Sequence, residues 1–176
     1  MAVLPIVQLG HPILRSKARP VPLEKLKEKS FQQLIKAMVE TLEKAEGLGL
    51  AAPQVNQSWR LFLAYPPSSP AVASSQPQVF INPEIEAQSE ELVEDWEGCL
   101  SFNFLRGLVP RPRWVRMRAW NEKGEEFIVE AYDLWARVLQ HEYDHLEGIL
   151  YLDRMADLRS LMSLSEFEAR MKKEKS

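Results

Sequence analysis

Cysteine is nearly absent from this chain. Its 176 residues contain one, Cys99. An internal disulfide is excluded, and the thiol is left free for chemistry or metal in a reducing compartment such as the cytoplasm. Histidine is also scarce, at three residues. No apolar run approaches the ~20 residues of a membrane helix. Met1 to Gly10 has neither the basic segment nor the apolar stretch of an export signal, so none is expected. A basic excess is missing too: the formal net charge is -3 and the pI is near 5.7. That argues against direct, specific nucleic-acid readout. Arg106, Arg111, Arg113, Arg116 and Arg118 form a local basic run that reads as a solvated strand face.

What is present is ordinary for a globular protein: 45% hydrophobic and 27% charged residues. The length suits one domain, 1–176, with a core large enough to need no covalent staples. Residues 1–22, with Pro5, Pro12, Pro20 and Pro22, read as an extended arm. From Glu24 to Ala45, Phe31, Leu34, Ile35, Met38, Leu42 and Ala45 fall at helical spacing, and Gly47 and Gly49 end the helix. Arg60–Tyr65 and Gln78–Asn82 read as short strands, the second stopped by Pro83, with a mobile loop over 66–77 between them. Trp114–Trp120 alternates Val115, Met117 and Ala119 against Arg116 and Arg118. A turn at Asn121–Gly124 and a strand at Glu126–Glu130 complete a hairpin. Asp133–Glu147 returns to helical spacing, and a charged helix is expected within 158–176, over Leu158–Lys173. Helices bracketing a hairpin-rich middle predict an α+β fold with an antiparallel sheet.

The strongest local signal is His141-Glu142-Tyr143-Asp144-His145. On a helix, positions i and i+4 share a face, so both imidazoles can reach one metal. Glu142 projects beside the same ion and can take a proton from metal-bound water. Two incidental histidines on a surface helix would give the same letters, but two of only three histidines at this spacing make that the weaker reading. A catalytic site of this kind needs a third protein ligand and an open fourth position. One protease template places a histidine where this chain has Tyr151, after a matching Gly148. Another takes a downstream glutamate, for which Glu166 or Glu168 could serve, although both sit in a charged surface helix. The remaining candidate is Cys99, in Glu97-Gly98-Cys99-Leu100-Ser101, where glycine permits close backbone approach. A lone cysteine is by default an inert buried thiol; the histidine pair overturns that default. Gly47-Leu48-Gly49-Leu50-Ala51-Ala52-Pro53-Gln54 is a small-residue turn ending in an amide donor suited to a developing oxyanion. His11, before a proline in the arm, reads as surface.

Taken in order, Gly-x-Gly-Leu-Ala-Ala-x-Gln, Glu-Gly-Cys-Leu-Ser and His-Glu-x-x-His resemble the three motifs of the peptide deformylases. The resemblance covers roughly residues 4–155, including Gly10–Arg15, Arg106–Arg111, Gln140 and Asp144–Gly148. It implies small antiparallel sheets packed around a central metal-binding helix, with a helix near each end. It implies Cys99, His141 and His145 as ligands of one divalent metal, Fe(II) by family precedent, with Zn, Ni or Co able to occupy the site. It also implies Glu142 as the proton carrier, and Gln54 with the Leu100 backbone N–H as the oxyanion holders. Backbone of Leu48, Gly49 and Gly98 would bind an N-formylmethionyl peptide as an added strand, and Leu134 and Val138 would line the methionine pocket. The C-terminal helix would dock the ribosome, as in bacterial family members. One segment and two single positions depart from the family pattern: Phe102-Asn103-Phe104, Asp95, and Arg137, the last shared with the organellar-type branch. Helical spacing puts Arg137 on the His141 face. Asp95 is its expected salt-bridge partner and Glu97 the alternative, with Arg111 left to pair with Glu97. Two other classes remain in view: an H-E-x-x-H endopeptidase and a zinc-stabilised binding module. Replacing Cys99 separates deformylation from the endopeptidase, and the presence of Glu142 and Gln54 argues against the binding module.

Overall fold

Gly49–Ala51 is buried on every residue and forms a three-residue strand, β1, which pairs with β2, Leu61–Ala64. The computed structural model describes residues 3–66 and 76–174. The loop expected over 66–77 falls largely at 67–75, outside the described residues. β1 and β2 begin a five-stranded antiparallel sheet of order β1-β2-β3-β6-β7, completed by β3 (Gln78–Gln88), β6 (Trp114–Trp120) and β7 (Glu126–Tyr132). β6 alternates half-buried and buried residues as its sequence predicts, and the hairpin register pairs Trp114 with Tyr132 and Trp120 with Glu126.

β3 does not stop at Pro83. It runs on to Gln88 through a register shift between Ile81 and Glu84. Asn82 takes the left-handed conformation there (φ 48°) and clamps the arm, its amide donating to and accepting from the backbone of Val21 at 2.8 Å. A proline lacks a ladder donor, and a bulge is where a strand can absorb one.

The second sheet has the order β4-β5-β8: β4 (Leu92–Glu97), β5 (Leu105–Pro112) and β8 (Met162–Ser163). None of these three strands was expected as such. The last helix is correspondingly shorter than 158–173. A 3-10 turn at Leu158–Ser160 and β8 precede α4, Leu164–Glu174.

The first helix, α1, spans Lys29–Ala45; the segment from Leu23 to Lys27 is a separate 3-10 turn. Its left-handed cap is Glu46 (φ 52°), not a glycine. The arm is extended apart from a turn at Leu9–Gly10 and a 3-10 turn at Pro12–Arg15, before which His11 is half-buried and its Nδ1 accepts from the Ile13 N–H. Backbone bonds from Val7, Leu9, Ala18 and Arg19 lace it to Gln54, Ser101, Leu146 and Ser58.

α2, Asp133–Leu146, packs on strands of both sheets, touching β1, β2, β6 and β7 on one side and β5 on the other. It buries Trp135, Ala136 and Leu139 in the core beneath the large sheet, together with Phe62 and Phe80, which stack at 4.6 Å. This buried position explains why the helix can carry polar residues inward: its other face meets the second sheet, where those residues find partners. A four-residue helix, α3 (Tyr151–Arg154), follows it. Among the described residues, no helix is long and apolar enough to cross a membrane.

Candidate active site

α2 presents Leu134, Arg137, Val138, His141 and Glu142 to a cavity of about 420 Å³. The opposite wall comes from the turn between α1 and β1 (Gly47, Leu48, Gly49), from Gln54, and from the end of β4 through Leu100. Three donor atoms, from Cys99, His141 and His145, lie within 4.8 Å of one another; it is the one such group among the described residues. Cys99 Sγ is 3.3 Å from His145 Nε2. Glu166 and Glu168 are exposed on α4 and take no part. Tyr151 stacks near the His141 ring, with centroids 6.2 Å apart, and it brings no nitrogen ligand.

The chemistry of this donor set fits a divalent metal. Glu97 Oε2 sits 2.9 Å from His141 Nδ1, which fixes that ring and leaves Nε2 for a metal. Burial opposes charge on His141, yet hydrogen bonds with Cys99 and Glu97 raise its pKa well above the usual value. His145 behaves oppositely: burial, then the positive neighbours His141 and Arg111, lower its pKa and keep it the neutral imidazole that ligation requires.

Glu142 is 4% exposed, and its Oε2 has no hydrogen-bond partner. Burial pushes its carboxyl up to about 7, in the range suited to moving a proton near neutral pH. Gly49 is needed here for space: a Cβ on it would stand 2.5 Å from Glu142 Oε1. Gln54 is fully specified. Its Oε1 accepts from the Ala51 N–H at 2.8 Å, so its Nε2 faces Ser101 Oγ at 3.3 Å and Cys99 Sγ at 3.5 Å. Gly98 leaves room for the Arg106 guanidinium, which lines the same cavity.

Leu48, Gly49, Gln54, Gly98, Cys99, Leu100, Leu134, Val138, His141 and Glu142 all line this cavity, with buried His145 behind its wall and Leu134, 56% exposed, at its mouth. The expected Asp95–Arg137 pair does not form. Asp95 is exposed and accepts from its neighbour's N–H, at Trp96, 2.7 Å away. Arg137 pairs with Glu97 at 2.8 Å, and Arg111 holds Glu97 as well, through Nε at 2.6 Å and Nη2 at 3.0 Å. The guanidinium of Arg137 is committed to Glu97 and to the Val109 and Val93 carbonyls, so it is not free to attract an acidic substrate side chain. Arg111, at 4% exposed, corrects the reading of the basic run as solvated; it also bonds Asp144 at 2.7 Å. Of the departing segment, Phe102 turns inward and stacks on Tyr151 at 5.1 Å, while Asn103 joins the cavity wall. Trp96 and Leu164, also in that wall, carried no signal in the sequence, because the strand and helix start that present them are not periodic enough to read.

Comparison with known proteins adds the last observation. Residues 3–160 match the family described as polypeptide deformylase. Peptide deformylase 2 of Nostoc sp. is 41% identical over 169 residues, covering 94% of this chain and 93% of its own. Peptide deformylase 2 of Clostridium perfringens is 43% identical, covering 92% and 99%. The crystal structure of a class I type b peptide deformylase from Acinetobacter baumannii, bound to Met-Ala-Ser, superposes with a TM-score of 0.81 at 36% identity, covering 88% of this chain and 99% of that one.

Proposed function

This chain belongs to the peptide deformylase family, metal-dependent hydrolases that remove the N-formyl group from nascent peptides, and we propose that it does so through Cys99, His141, His145, Glu142 and Gln54. The observation that carries this reading is the Cys99–His141–His145 donor group beside a buried carboxylate with an unpartnered oxygen. A divalent metal held by Cys99, His141 and His145 would supply Lewis acidity and make water easier to deprotonate near neutral pH. Glu142 takes the proton of the attacking water and returns it to the leaving nitrogen as the formyl C–N bond breaks. Formate and a free N-terminal methionine result. Gln54 Nε2 and the Leu100 N–H face the developing oxyanion. Leu48, Gly49 and Gly98 hold the peptide backbone, and Leu134 and Val138 flank the methionine side chain.

Thiolate and imidazole donors accept Fe(II), Zn, Ni or Co alike. We assign Fe(II), and place the enzyme in the cytoplasm, where Cys99 stays reduced. Protein purified from the cytosolic fraction under argon should contain iron. It should release formate from formyl-Met-Ala-Ser and leave casein intact. Zinc in its place would overturn the metal assignment; casein cleavage without formate would favour the endopeptidase.

The arm's bonds to α2, Gln54, Ser58 and Ser101 support reading 1–176 as one domain. Near the end of α4, Arg170, Lys172 and Lys173 support ribosome docking, although Arg170 also lies over Trp96 at 5.6 Å and pairs with Glu174. Lys172→Glu with Lys173→Glu should reduce co-sedimentation with ribosomes; unchanged co-sedimentation removes the docking role.

A further inference from the structure

Glu97 is one carboxylate holding four contacts. Oε1 receives Arg111 Nε at 2.6 Å and Arg137 Nη1 at 2.8 Å; Oε2 receives Arg111 Nη2 at 3.0 Å and meets His141 Nδ1 at 2.9 Å. Arg111 does not serve Glu97 alone. Its Nη1 is committed to Asp144 at 2.7 Å, and Asp144 is shared in turn with Arg154, which is half-exposed. Two buried carboxylates thus divide one buried guanidinium, and Arg137 supplies the second. It does more than balance charge. Nη1 also donates to the Val109 carbonyl at 2.7 Å and Nη2 to the Val93 carbonyl at 2.6 Å. Three bonds from one planar fork tie α2 to β4 and β5 at the level where β4 presents Glu97 to His141. Arg137 lies one helical turn before His141, so the residue that fixes Glu97 and the residue Glu97 fixes are on the same helix face.

We propose that Arg137 is a positioning residue for His141, acting through Glu97, and that it sets how firmly the metal is held. The proposal rests on the reading of His141 as a ligand. A lysine could neutralise Glu97 but could not also span the Val93 and Val109 carbonyls, because an ammonium lacks the planar fork. Outer carboxylates that orient a ligating histidine are typically worth about 10–100-fold in metal affinity or activity, and a residue that fixes such a carboxylate acts within that range.

The test is release of nickel from nickel-loaded protein to a chelator, with kcat and KM for formyl-Met-Ala-Ser measured alongside. Arg137→Met should release nickel about 10-fold faster or more and lower kcat while leaving KM nearly unchanged. Arg137→Lys should fall between it and the parent, and it carries the same test if Arg137→Met does not fold. In a Glu97→Gln background the Arg137 substitution should add little, since its route is already cut. Parent-like nickel release from Arg137→Met, or an equal increment in the Glu97→Gln background, would overturn the proposal and leave Arg137 a structural staple. His141→Ala is the control. If it retains nickel as the parent does, the ligand reading itself fails. If it loses nickel while Arg137→Met does not, only the positioning role fails.

Discussion

Two of the clusters in which arginines meet acidic side chains differ more in their surroundings than in their partners. Behind α2, the side chains of Glu97, Arg111, Arg137 and Asp144 are all less than a tenth exposed. On the outer face of β3, β6 and β7, Arg116 and Arg118 meet Glu84, Glu86, Glu126 and Glu130 at 2.5–3.4 Å, with side chains between a quarter and two thirds exposed. Exposed partners trade freely with water and salt, so each pair adds little. Buried partners have no water to fall back on, and each member depends on the others being present. Glu97 shows the consequence: burial alone would raise its pKa, yet the bonds from His141 and Arg111 hold it well below the usual carboxylate range. One set covers a sheet; the other fixes the ring of His141.

The buried set should break hard. Glu97→Leu strands Arg111 and Arg137 together, at a cost of about 3–5 kcal/mol, read by urea denaturation. A loss below about 1 kcal/mol, the range of an exposed pair, would erase the distinction between the two sets. Arg118→Ala probes the other side. Its removal should cost far less than Glu97→Leu, and the cost should shrink further at high salt. A salt-insensitive loss of several kcal/mol would mean the outer ladder is as interdependent as the inner one.

The same contrast explains what could be read from the sequence. α2 and the β6–β7 hairpin were legible because each has one face in the core and a clear period. β4, with Leu92 to Asp95 exposed, reads like a loop. β5 carries Pro110 and Pro112 beside a buried Arg111, which breaks the alternation that would mark a strand. β3 passes through Pro83 because Asn82 can enter a left-handed conformation, and no local pattern announces that. In the site, the motif residues were legible because metal chemistry constrains both residue type and spacing. The partner of Arg137 was not. Strand alternation puts Asp95 and Glu97 on the same face, and only depth along β4, from an exposed start to a buried end, separates them. Glu97 was the alternative named from spacing, but its place as the hub for His141, Arg111 and Arg137 is a property of two elements packing, which one sequence does not display.

If Cys99, His141 and His145 hold the metal while Glu142 moves the proton, Glu142→Gln separates the two roles. Gln keeps the size of the side chain and leaves Cys99, His141 and His145 untouched. Metal content and formate release from formyl-Met-Ala-Ser should be measured on the same preparation. Full metal occupancy is expected, with turnover reduced about 10²–10⁴-fold. Turnover within about twofold of the parent, at equal metal content, would contradict it.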